Sequence, residues 1–153
     1  MRKFVKYASI TIIVLVAVTY GLLSILFRPS KDEVARVPAP GRSYEAVLVE
    51  INGGATASFL YEVYVVHRGA STWASSPVAS LYGATRNDHA YGANLRWSTP
   101  EKLSIEYLRT RYHDLTTKKM TLDGKELRVA LQDGVNDPAA PAGGMLFNLK
   151  ARQ

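Results

Sequence analysis

YEAVLVEINGGATASFLYEVYVVH, residues 44–67, decides the fold class. In its first half Tyr44, Ala46 and Leu48 alternate with Val47, Val49 and Ile51, so apolar groups lie on both faces. A strand with this pattern is central and covered on two sides. Asn52-Gly53-Gly54-Ala55-Thr56-Ala57-Ser58 interrupts it, and strand character resumes at Phe59. There Phe59, Tyr61, Val63 and Val65 share one face and Glu62 and Tyr64 take the other. Two such runs around a Gly-rich connection read as a hairpin.

Downstream, Ala93, Leu95 and Trp97 alternate with Asn94, Arg96 and Ser98, and Leu103, Ile105 and Tyr107 alternate with Ser104 and Glu106. Taking 98–102 as the loop pairs Trp97 with Leu103 and Leu95 with Ile105, and sets Arg96 diagonal to Glu106. A one-residue slip would mix the faces, so this register is the expected one. Asp123-Gly124 is a two-residue turn signal that lets Met120 face Leu127. Leu127, Val129 and Leu131 form the last alternating strand, and Met145 to Leu149 is apolar enough to dock on the sheet. Between the two hairpins, Val78 to Tyr82 reads as a short strand and 83–92 as a loop bounded by Gly83 and Gly92. The expectation is a mainly β domain over 44–153, a small antiparallel sheet of meander or sandwich-like form.

Upstream of this domain, residues 28–43 carry Pro29, Pro38 and Pro40 and read as an extended Pro-rich tether. Before them, Tyr7 to Phe27 is uncharged throughout, bracketed by Arg2, Lys3 and Lys6 and by Arg28 and Lys31. A helix over that stretch matches a hydrocarbon core of roughly 30 Å. Its apolar run is long for a cleaved signal peptide, and bulky residues precede Arg28 where a peptidase takes small ones. The reading is one transmembrane α-helix at 7–27, an uncleaved signal anchor in contact with the lipid bilayer. With it come a cytoplasmic tail at 1–6, a single-pass address in the inner membrane, and residues 28–153 outside the cytoplasm.

Composition narrows the function. Without Arg2, Lys3 and Lys6 the chain keeps 16 basic residues against 13 acidic ones, spread along its length. A nucleic-acid binder gathers its basic residues into a stripe, so no nucleic-acid partner is expected. The chain holds no Cys. The domain therefore holds by packing alone, without disulfides or thiolate metal sites.

PGRSYEAVLVE followed by NGGATASFLYEVYVV, with LRWSTPEKLSIEY at 95–107, resembles a family of small membrane-anchored bacterial proteins of unknown function. That family pairs two strands around a Gly-Ala-Thr-Thr-type loop; here Ala57 stands where a second hydroxyl is more usual. The resemblance spans about residues 40–110. It implies a fold and an address but no activity. The hairpins are also similar to strand pairs of β-propeller blades, of which too few are present to close a propeller.

No enzyme signature emerges. His67, His89 and His113 lack the close spacing of a metal site, so no metal or other cofactor is expected. Glu45, Glu50 and Glu62 on neighbouring strands offer carboxylates for acid–base chemistry, but a polar sheet face gives the same pattern. Ser58, Ser71, Ser75, Ser76 and Ser80 sit in no nucleophile motif. Asp133, Asn136 and Asp137 match no calcium-loop spacing. The candidate binding residues are Asn52, Gly53, Gly54, Ala55 and Thr56, where successive backbone N–H groups can form an anion nest or meet a partner. The second candidate is the exposed polar run Arg86, Asn87, Asp88 and His89. The expected function is a protein-interaction module whose partner is another envelope or secreted protein, as in immunity to a toxin or envelope assembly. The alternative is a small-ligand sensor or a hydrolase acting on envelope material.

Overall fold

The computed structural model describes residues 2–26, 28–87 and 90–136; inside its helix the side chains are described at Tyr7 and over 11–24. The expected docking segment at Met145 to Leu149, and Asp137, lie outside the described residues. In chain order the elements are α1 (Arg2–Leu26), β1 (Ser30–Pro38), β2 (Tyr44–Asn52), β3 (Leu60–His67), β4 (Ala79–Tyr82), β5 (Arg86–Asn87) and β6 (Ala90–Tyr91). There follow β7 (Asn94–Thr99), β8 (Lys102–Glu106), β9 (Tyr112–Asp114), β10 (Lys119–Leu122) and β11 (Lys125–Gln132).

The expected membrane span is not supported. Among the described residues no helix is long and apolar enough to cross a membrane. Thr11, Thr19 and Ser24 punctuate α1, each hydroxyl donating to the carbonyl four residues earlier. The bilayer contact, the single-pass inner-membrane address and the orientation with 28–153 outside the cytoplasm rested on that span and fall with it.

The mainly β expectation holds. One sheet has the order β1-β2-β3-β4-β9 and a second the order β10-β11-β8-β7, while β5 and β6 form a separate pair. Every neighbouring pair of the first sheet is antiparallel, and its first four strands form a meander. The second sheet departs from the expected antiparallel arrangement, because β11 pairs with β8 in parallel. A parallel pair needs a crossover. The chain makes it by leaving β8 to add β9 to the first sheet, then returning through the β10–β11 hairpin.

Residues 30–38, read as part of a spacer, are the first sheet's edge strand. Ser30 lies opposite Asn52 and Pro38 opposite Glu45. The register shifts between Glu33 and Ala35, and Val34 at that bulge is buried in the main core. Edge position is what lets a strand carry both Pro and a Lys-Asp-Glu run.

β2 is central, as its two apolar faces require. Tyr44, Ala46 and Leu48 join Tyr61, Val63, Leu81, Leu103, Ile105 and Leu127 in one core built from both sheets. Val47, Val49 and Ile51 form a smaller cluster with Tyr64 and Val66 on the opposite face. The β7–β8 register is the expected one, Leu95 opposite Ile105 and Trp97 opposite Leu103. Thr99 then pairs with Lys102, so the turn is tighter than the five residues expected. Arg96 reaches Glu106 at 3.1 Å. Met120 faces Leu127, and Asp123 and Gly124 both take positive φ (49° and 71°), as a two-residue hairpin turn demands. Trp97 fastens the sheets together: it lies 5.8 Å from the Tyr44 ring and donates through Nε1 to the Val37 carbonyl at 2.9 Å.

Candidate functional site

The two stretches singled out as binding loops start from the same end of the first sheet. β2 ends at Asn52 and β3 begins at Leu60, so 53–59 forms the hairpin connection; β4, pairing with β3, ends at Tyr82 opposite Leu60. The bases of the two loops are bonded to each other. Gly83 N–H donates to the Phe59 carbonyl at 2.8 Å, and Ser58 N–H donates to the Tyr82 hydroxyl at 3.2 Å.

The first loop is built by its own residues. Asn52, half-buried at the strand end, accepts through Oδ1 from Gly54 N–H at 2.9 Å. Gly54 takes φ +95°, a conformation that favours glycine. The Ala57 N–H donates back to the Gly54 carbonyl at 3.2 Å. Gly53, Gly54, Ala55 and Thr56 are all exposed. Because the Gly54 N–H is occupied by Asn52, the anion-nest reading loses one of its donors.

In the second loop Arg86 is not the exposed cation the sequence implied. Its side chain is 11% exposed and its Nη1 lies 3.3 Å from Glu50 Oε1, a carboxylate fully shut off from solvent. The guanidinium also stacks 4.1 Å above the Phe59 ring centroid and 5.0 Å from that of Tyr91. The second oxygen of Glu50 accepts from the Tyr61 hydroxyl at 2.8 Å. Burial, then the Glu50 charge, pushes the Tyr61 phenol well above its ordinary range. Gly92 closes this cluster. A Cβ there would lie 2.2 Å from Tyr61 Cζ, and φ is +66°. Asn87 is exposed and pairs with Ala90, while Asp88 and His89 lie outside the described residues.

The other constellations come apart. Glu50 points into the core, whereas Glu45 and Glu62 lie on the opposite face of the sheet. Glu45 is bonded to Arg36 and accepts from Gly69 N–H; Glu62 accepts from the Tyr64 hydroxyl at 2.6 Å. The register sets Glu45 four residues along β2 from Val49, the partner of Glu62. That is about 13 Å, too far for a carboxylate pair sharing one substrate. His67 stands 4.0 Å from Asp123 and His113 Nδ1 stands 3.5 Å from the Tyr107 hydroxyl. Among the described residues no three His, Asp or Glu side chains gather as a metal site would require.

The Glu50–Tyr61–Arg86 cluster went unread in the sequence, although one signal was there. Glu50 continues the Tyr44, Ala46, Leu48 alternation into the core, and a carboxylate in that row demands a cation. Nothing in the pattern says that the cation comes from residue 86.

Comparison with known protein families, with curated proteins and with solved structures gives no match for this chain. The likeness of residues 40–110 to a family therefore rests on its motif residues alone.

Proposed function

We propose that the β-domain is a protein-interaction module and that loops 53–59 and 83–92 form one composite contact surface. The observation that carries this reading is the joint anchoring of the two loops. Arg86 reaches from the second loop to Glu50 and stacks on Phe59 at the end of the first, while Gly83 bonds the Phe59 carbonyl. Gly53 to Thr56 are exposed on a loop carried by a rigid sheet, the usual place for recognition, and Asn87 is exposed beside the second base. Ordering both bases in advance lowers the entropy lost on binding. Gly53 to Thr56 present backbone and small side chains, which suit close approach by a partner surface.

The test is site-specific photo-crosslinking in cells, with a photoreactive residue at Thr56 and, as a control, at exposed Lys125 in the distant β10–β11 hairpin. A single protein adduct at position 56 and none at 125 is expected, and Ala55→Arg, at the exposed neighbour of the photoreactive residue, should abolish it while leaving the melting curve unchanged. Equal labelling at both positions, or an adduct that survives Ala55→Arg, overturns the reading.

A further inference from the structure

On the face of the first sheet turned away from the main core, the chain between β3 and β4 folds back over β2 and β3. This segment is braced at its base. Arg36 donates to the Ala70 carbonyl at 2.9 Å, Gly69 N–H donates to Glu45 at 2.8 Å, and Ala70 N–H donates to the His67 carbonyl at 2.9 Å. A turn closes at Thr72–Ser75, where Ser75 N–H donates to the Thr72 carbonyl at 3.1 Å. Trp73 projects from that turn with 92% of its surface exposed. It borders an open groove of about 620 Å³ whose other walls include Lys31, Glu33, Tyr64 and the hydroxyl-bearing Ser71 and Ser75. That volume lies within the roughly 300–1,000 Å³ of small-ligand sites.

We infer that this groove binds a neutral oligosaccharide, with the Trp73 indole as the stacking platform for a pyranose ring. Three features point to that chemistry. A large indole held almost wholly in water on a braced turn has a flat face to offer and no packing role to fill. The apolar C–H face of a sugar ring is the complement of such a surface. The groove's charges are already partnered: Glu33 with Arg36, and Lys31 with Glu62 at 3.7 Å. A charged ligand would have to break those pairs, whereas a polyol can bond to them as they stand. Finally, the walls offer hydroxyl, ammonium and carboxylate groups around the aromatic faces, the mixture of donors and acceptors that a polyhydroxyl ring satisfies. The open trough suits one stretch of a linear chain better than an enclosed metabolite.

The test is titration of the full chain with a panel of neutral tri- and tetrasaccharides of glucose, N-acetylglucosamine and mannose, followed by tryptophan fluorescence and calorimetry. Trp97, half-buried and hydrogen-bonded to Val37, serves as the unresponsive internal reference. The expected result is saturable binding of at least one sugar with a change in Trp73 emission. Trp73→Ala should weaken that binding at least tenfold, and its melting temperature should match the parent because the side chain contacts so little. Saturable binding that Trp73→Ala leaves intact overturns the inference. So does the absence of binding by every sugar at millimolar concentration, or saturable binding only of charged peptides offered in parallel.

Discussion

Glu50 is the residue on which the interior depends most. It has no contact with water, and its two oxygens face one donor each, the Tyr61 hydroxyl and Arg86 Nη1. Removing one partner of a buried pair leaves a charge without compensation, which costs about 3–5 kcal/mol. Arg86→Met should lower stability in urea unfolding by that amount. Glu50→Gln combined with Arg86→Met should recover most of it, because the remaining amide still accepts from Tyr61. A double variant as unstable as the single one would mean that Arg86 acts through its stacking on Phe59 and Tyr91 instead. Gly92 is a second point of dependence. Ala at 92 meets the Tyr61 ring and an unfavourable φ together, whereas Ala at Gly124 meets only the φ (+71°), with nothing within 4 Å. Gly124→Ala should cost about 1 kcal/mol and Gly92→Ala at least ~3 kcal/mol. Equal losses in thermal melts would show that the ring moves aside freely.

At the scale of the element, β1 shows what periodicity cannot reach. Its residues, Ser-Lys-Asp-Glu-Val-Ala-Arg-Val-Pro, have the polarity and the proline of a linker, and the bulge at Val34 breaks the alternation that would have marked a strand. What makes it a strand is its neighbour, since β2 leaves a full row of backbone groups to be paired on that side. The consequence is measurable. The amides of β1 that bond to β2 should exchange with deuterium far more slowly than those of an unstructured spacer, and Val34→Asp, which puts an unpaired charge into the core, should cost about 3 kcal/mol or more. Rapid exchange of every amide over 31–37 in a domain whose β2 stays protected would return this segment to the role of a spacer. The β7–β8 and β10–β11 hairpins lie at the other extreme. Both were legible because register and turn chemistry are local: Trp97 and Leu95 have one set of partners that keeps the faces apart, and Asp123-Gly124 tolerates the positive φ the turn needs.

At the scale of the whole molecule, sequence pattern stops where pairing becomes long-range. The parallel β8–β11 pair joins residues about 26 positions apart through a strand lent to the other sheet, and no alternation encodes that exchange. The candidate site shares the limitation. Each loop could be found from its glycines, but their common base depends on Arg86 meeting Glu50 across 36 residues. Packing of this kind has a titration signature. Tyr61, Tyr64 and Tyr107 all have phenols held above the ordinary value of 10.0, each chiefly by burial, reinforced by Glu50, Glu62 and Asp133 respectively. Below pH 10 the native and unfolded chains both keep these protons, so the stability is fully present. As pH rises past 10 the unfolded chain releases them first and the native chain still holds them, so the unfolded state binds fewer protons and stability falls. For Tyr61, which is wholly shut off from solvent, the slope approaches about 1.4 kcal/mol per pH unit. Urea midpoints taken upward from pH 9 should therefore decline, and Tyr61→Phe should decline less steeply by up to that slope, whatever its stability at neutral pH. Parallel declines in the two proteins would mean that Tyr61 ionises in the native state as readily as in the unfolded one, and that the Glu50 cluster is open to water.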